Sequence, residues 1–120
     1  MPKNLPSIEY LHKALRYNPS MGFFTWRERT SDMFRSNASK SAAEKCAIWN
    51  SKKANTPAFT SAYASGYNTE FLDGVGCMAS HVAWAMTHRV WPRDDGRRLC
   101  FKNHIRHDNR IENLELRSPS

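Results

Sequence analysis

LCFKNHIRHDNRIENLEL, Leu99 to Leu116, sets two histidines and three asparagines between two short apolar runs. Leu99 to Phe101 reads as a short strand and Asn113 to Ser118 (NLELRS) as a second. On the second strand Leu114 and Leu116 share one face and Glu115 takes the other. Lys102 to Glu112 between them reads as a long loop. Histidines and asparagines gathered in one loop are the residue types of a metal or acid–base centre, so fold and chemistry both turn on this stretch.

Upstream, Ser80 is placed to cap a helix from His81 to His88 (HVAWAMTH). That helix must end before Trp91-Pro92, because the residue before proline avoids helical geometry. Tyr67 to Leu72 has strand composition, and the turn dipeptide Asp73-Gly74 leads into another strand, which gives a hairpin. Asn55 to Gly66 is small and polar and reads as irregular. Ser41 to Asn50 (SAAEKCAIWN) predicts a helix with Ala43, Cys46, Ala47 and Trp49 on a partly apolar face, after a polar loop from Arg27 to Lys40. Phe23 to Trp26 (FFTW) is aromatic and β-prone, a short strand after the turn NPSMG. Ser7 can cap a helix through Ile8, Tyr10, Leu11, Ala14 and Leu15, which Asn18-Pro19-Ser20 stops. The expected fold is α+β in a single small domain over 1–120, with no internal repeat.

A chain of 120 residues has room for one modest core, and five glycines and six prolines are too few for a linker-rich or disordered chain. Eighteen Lys and Arg against eleven Asp and Glu leave a net charge of +7, with a pI near 9.7. Such an excess favours DNA or another polyanion as partner, through phosphate neutralisation and counterion release. The plainer alternative is a surface of scattered, solvated charges. No apolar run approaches the roughly 20 residues that span a bilayer, so no membrane partner is expected. The start, MPKNLPSIEY, lacks the apolar segment of a secretory signal, and the cytoplasm is the expected location. Cys46, Cys77 and Cys100 are odd in number and widely spaced, a poor disulfide framework, and are expected as reduced thiols.

The order GYNTEFLDG, SHVAWAMTHRVWP and HDNRIENLEL resembles the HNH endonuclease family, in particular its small phage-type and homing-type members. Those proteins carry a Gly-Tyr strand, a helix opening with His and containing Ala-Trp, a Trp-Pro stop and a closing DNRIENL. The front half is similar too. RYNPSMGFFTW looks like the family's Tyr-Asp-Pro-x-x-Gly-x-x-x-Trp, with Asn18 for the Asp. WNSKKANTPAFT looks like its Trp-Asn-x-x-x-Ala-Gly-x-x-Ala-Phe, with Asn55 for the Gly. The likeness runs from about Pro6 to Ser118. It implies a single HNH-like domain with an N-terminal helix and strand (7–26) and an HNH-like part (66–118). It also places the chain, if phage-encoded, inside the host cell.

The resemblance implies a ββα-metal motif in which an Asp-His pair ends the first strand. The Asp binds a divalent metal that neutralises charge on the scissile phosphate, and the His takes a proton from the attacking water. Counting back from Asp108 across Lys102 to His107, the family's spacing puts that pair on Cys100-Phe101. Phenylalanine neither takes a proton nor binds a metal, and cysteine prefers softer metals than those that assist phosphodiester cleavage. Asn109 and Asn113 survive as loop-bracing residues, Asn113 matching the middle Asn. The sequence reaches Ser120 soon after the second strand, so the family's metal-binding helix is expected to be missing. The scaffold is kept and the catalyst is not.

Two further chemical candidates remain. His104 or His107 could replace the base in a nicking nuclease with magnesium in a rearranged site; reading Asn103-His104 as a displaced pair requires a shorter loop, and Asp108 reads as a turn cap. Cys77-x3-His81 and Cys100-x3-His104 form a zinc-like set, although structural zinc sites usually show tighter pairs and His81 matches the family's ordinary helix-start histidine. Trp26, Trp49, Trp84 and Trp91 are expected in the core. Arg89, Arg93, Arg97, Arg98, Lys102, Arg106 and Arg110 crowd the last third of the chain, diluted by Asp94 and Asp95. Of these Arg97, Arg98, Lys102, Arg106 and Arg110 are the candidates for contacting nucleic acid. The expected function is binding by a degenerate HNH-like protein, most directly to DNA. The alternative partner is a host protein of a nucleic-acid-based defence system, which the chain would inhibit by binding.

Overall fold

The computed structural model describes residues 5–62, 66–92 and 97–118. Ser7 caps α1 (Ile8–Ala14), its side-chain oxygen accepting from the Tyr10 amide at 3.0 Å. The helix stops at Ala14, and Leu15 opens a strand that the sequence did not predict: β1 (Leu15–Asn18), antiparallel to β2 (Phe23–Trp26). Leu15 suits a helix face and a strand equally well. Pairing with FFTW decides the matter, because it satisfies a backbone that could not continue as helix into Pro19. β3 (Pro57–Ala58) adds to the other edge of β2.

A capping box between Ser41 and Glu44 starts α2 (Ala42–Lys53), which runs three residues past the expected Asn50. Its inner face differs from the expected one, since Ala43 and Ala47 are exposed while Cys46 is buried and Trp49 and Asn50 are partly buried. Asn50 explains the difference. Its amide accepts from the Arg29 N–H at 2.8 Å and donates to the Arg29 carbonyl at 2.9 Å, so a polar side chain anchors the helix.

Two short strands interrupt the stretch expected to be irregular: β3 and β4 (Ser61–Ala62), the second pairing with β5 (Asn68–Leu72); residues 63–65 lie outside the described residues. β5 and β6 (Val75–Met78) form the predicted hairpin. Asp73 and Gly74 both take positive φ (51° and 78°), as a two-residue turn that follows strand twist requires. β6 passes directly into α3 (Ala79–His88). Ser80 is therefore not the cap but a buried residue of the first turn, and Met78 at the cap position offers no side-chain bond.

α3 is the centre of the core, with Ala79, Val82, Ala83, Ala85 and Met86 buried. α1, β5, β6 and a 3-10 turn at Ile111–Asn113 pack on it. Trp26 is buried, and Trp49, Trp84 and Trp91 pack partly buried against the same core. β7 (Arg98–Phe101) and β8 (Leu114–Arg117) make a separate antiparallel pair, with Leu99 opposite Leu116 and Phe101 opposite Leu114. The described residues thus form a small α+β arrangement of three α-helices and small antiparallel sheets. None of these helices is long and apolar enough to cross a membrane.

Candidate functional site

The loop after β7 is a closed hydrogen-bond network centred on Asn113, a residue only 4% exposed. Its oxygen accepts from the Asn103 N–H at 3.0 Å, and its amide nitrogen donates to Asn103 Oδ1 and to the Asp108 carbonyl, both at 2.9 Å. Asn103 also donates to Asp108 Oδ2 at 2.7 Å. Arg110 holds the Asp108 carboxylate through Nε and Nη2, each at 2.8 Å, and reaches Glu112 with Nη1 at 2.9 Å. The Arg110 guanidinium, helped by Asn103, holds the Asp108 carboxyl down at about 2. His104 takes a left-handed backbone (φ 65°), its N–H bonded to the Phe101 carbonyl at 3.0 Å.

The β1–β2 turn docks onto this loop. The Tyr17 hydroxyl donates to the Asn109 carbonyl, and the Ile111 N–H to the Pro19 carbonyl at 3.1 Å. Gly22 sits at φ 76°, where an added Cβ would lie 2.6 Å from the Arg110 nitrogen and 2.8 Å from the Asn109 carbonyl carbon. Asn18 shapes the turn by accepting from the Ser20 and Met21 amides at 3.2 Å, a task an aspartate would do with the same oxygen. Glycine and tyrosine in RYNPSMG are therefore positioned for DNR, far along the chain.

Beside β7, and bordered by His104 and Arg106 of the loop, lies a cleft of about 750 Å³. Tyr67, Met78, Trp91, Leu99 and Phe101 form its apolar wall; Arg97, Arg98, Arg106, Arg117, His81 and His104 supply its polar groups. No Asp or Glu lines it among the described residues. Trp91 is fixed there by its indole N–H, which donates to the Pro6 carbonyl at 2.9 Å. The Arg106 guanidinium lies 5.3 Å from the Tyr67 ring centre, and that ring 6.0 Å from Phe101. Arg98 and Arg117 face each other across β7–β8, an unfavourable pairing of like charges that Glu115 relieves by bonding Arg117. Burial pushes the pKa of His81 down, so its imidazole is neutral at neutral pH.

The predicted residues divide. Arg97, Arg98, Arg106, His81, His104 and Cys100 share the cleft, whereas Lys102, His107 and Arg110 are not among its lining residues. Arg93, Asp94 and Asp95 lie outside the described residues. Phe101 is buried, and Cys100 is partly exposed with its thiol directed to the Arg98 carbonyl. These two side chains offer neither a hard oxygen ligand nor a base, so the donor set does not fit a magnesium-type ion. Cys77 is in the core, its thiol on the Val75 carbonyl at 3.4 Å and pushed up to about 11 by burial. Among the described residues no three His, Cys, Asp or Glu side chains are grouped as a metal ion would need. His104 and His107 are exposed. Asn109 is 3% exposed and donates to the His107 carbonyl at 3.4 Å, but its Oδ1 has no partner among the described residues.

Sequence reasoning missed Ser80, Tyr67 and Arg117 as cleft residues. Strand alternation carries a signal for Arg117, because with Leu99 opposite Leu116 it falls on the face of Arg98. No family model, curated protein or solved structure matches the chain.

Proposed function

We propose that this chain is a binding protein on a degenerate HNH endonuclease-like scaffold, and that it engages DNA through the cationic cleft beside β7. The observation that carries this reading is the make-up of the cleft. Among the described residues it has four arginines and no carboxylate, beside Cys100 and Phe101 where the resemblance would put the metal-binding Asp and the base. Arginines of this kind neutralise backbone phosphates and release counterions, which gives affinity without cleavage chemistry. The exposed Lys102, at the start of the loop that follows β7, adds to the same sign of charge.

The test is duplex binding by fluorescence anisotropy across a salt series. Log affinity should fall linearly with log salt. Replacing Arg97 and Arg98 together by Gln should weaken binding and reduce the slope by about 2, near one unit for each phosphate no longer neutralised. Absence of duplex binding even at low salt would overturn the reading and point to a protein partner.

A further inference from the structure

We infer that the first turn of α3, at the wall of this cleft, is a seat for a phosphate group, held by the amides of Ser80 and His81 and by the Ser80 hydroxyl. The inference rests on the cleft being the face that takes DNA, and it names the part of the ligand that this wall would hold. α3 is ten residues long and follows β6 with no intervening loop, so no linking segment folds back over its start. The amides of a first turn have no partner within the helix, and here the residue at the cap position supplies no side-chain acceptor.

Ser80 is the second, independent observation. It is 3% exposed and lines the cleft, yet its hydroxyl makes no hydrogen bond to any described residue. The Ser80 hydroxyl therefore reaches the cleft with its donor uncommitted within the fold, beside first-turn amides that have no partner inside the helix. An oxyanion would satisfy all of them. The surroundings favour negative charge: Arg97, Arg98, Arg106 and Arg117 line the same cleft, and no carboxylate lines it among the described residues, although Glu115 outside the lining bonds Arg117. Helix N-termini favour anions through both the open N–H groups and the helix dipole. The neutral imidazole of His81 can donate one further bond from the rim.

The phosphate could belong to a DNA strand or to a free phosphorylated molecule, and one set of titrations separates them. The full chain, labelled with nitrogen-15, is titrated with inorganic phosphate against chloride at matched ionic strength, and separately with duplex DNA. Phosphate should shift the Ser80 and His81 amides selectively and saturably, and DNA should shift the same two. Ser80→Ala should weaken phosphate binding by about 5-fold with the melting temperature unchanged, because the lost hydroxyl bonds nothing in the fold. DNA binding that leaves these amides unmoved and is untouched by Ser80→Ala would overturn the seat while the DNA reading stands. Selective phosphate shifts without DNA binding would support the seat and assign it to a free phosphorylated molecule, overturning the DNA reading instead. Silence toward both ligands would overturn both.

Discussion

The loop after β7 and the cleft beside that strand use the same kinds of residue differently. In the loop that follows it, Arg110 bonds Asp108 through two nitrogens and Glu112 through a third, and Asn113 makes three bonds to Asn103 and Asp108. In the cleft beside it, four arginines gather with no carboxylate among the described lining residues, Glu115 outside the lining bonds Arg117, and the Ser80 hydroxyl is left open. A polar network that closes on itself holds a shape; a wall with an open hydroxyl under gathered positive charge is suited to an anionic ligand. Substitutions on the loop side should therefore cost stability, and those on the cleft side should cost binding.

The sharpest way to break this contrast is Gly22→Ala. The new Cβ would collide with the backbone of Asn109 and Arg110 at a positive φ, so urea denaturation should show a loss of about 4 kcal/mol, from backbone displacement and left-handed strain together. Asn113→Ala removes three hydrogen bonds from a buried position and should cost about 3 kcal/mol. A loss below about 1 kcal/mol for either would mean that the loop is not the rigid side.

Acid provides a milder test. Asp108 is held at about 2 in the fold, against about 3.9 in an unfolded chain, so its contribution is complete above about pH 4 and disappears as the pH falls toward 2. Allowing for solvent screening of a pair that includes a 38% exposed Arg110, about 1 kcal/mol should be lost across that window. Asp108→Asn should flatten the pH dependence there, as followed by melting temperature. The smallest effect on stability is expected from Arg98→Gln, within about 0.5 kcal/mol of the parent, because Arg98 is exposed and its side chain bonds no described residue. The same substitution should nevertheless lower the salt slope of DNA binding by about 1.

The elements legible in the sequence were those with a local cause. Asp73-Gly74 dictates its turn, FFTW its strand, and the apolar alternation around Leu114 and Leu116 the pairing with Leu99 and Phe101. Leu15 was misassigned because its burial is compatible with two periodicities, and only the distant partner Trp26 decides between them. The inner face of α2 was hidden because Asn50 holds it by hydrogen bonds to a backbone, which leaves no hydrophobic stripe. Ser80 looked like a cap because serine before a helical run usually is one, yet β6 runs straight into the helix. The cleft is tertiary throughout: Tyr67, Ser80, Arg98 and Arg117 come from four elements or their edges, and no spacing along the chain announces their meeting.

The proposal of a scaffold that binds without cutting is tested most directly on one agarose gel. Supercoiled plasmid is incubated with the protein and magnesium or manganese, with and without removal of protein before electrophoresis. The plasmid should be retarded while protein is bound and should return to fully supercoiled form once the protein is stripped. Nicked circles that accumulate with the parent chain and vanish with His104→Ala or His107→Ala would contradict binding without cutting.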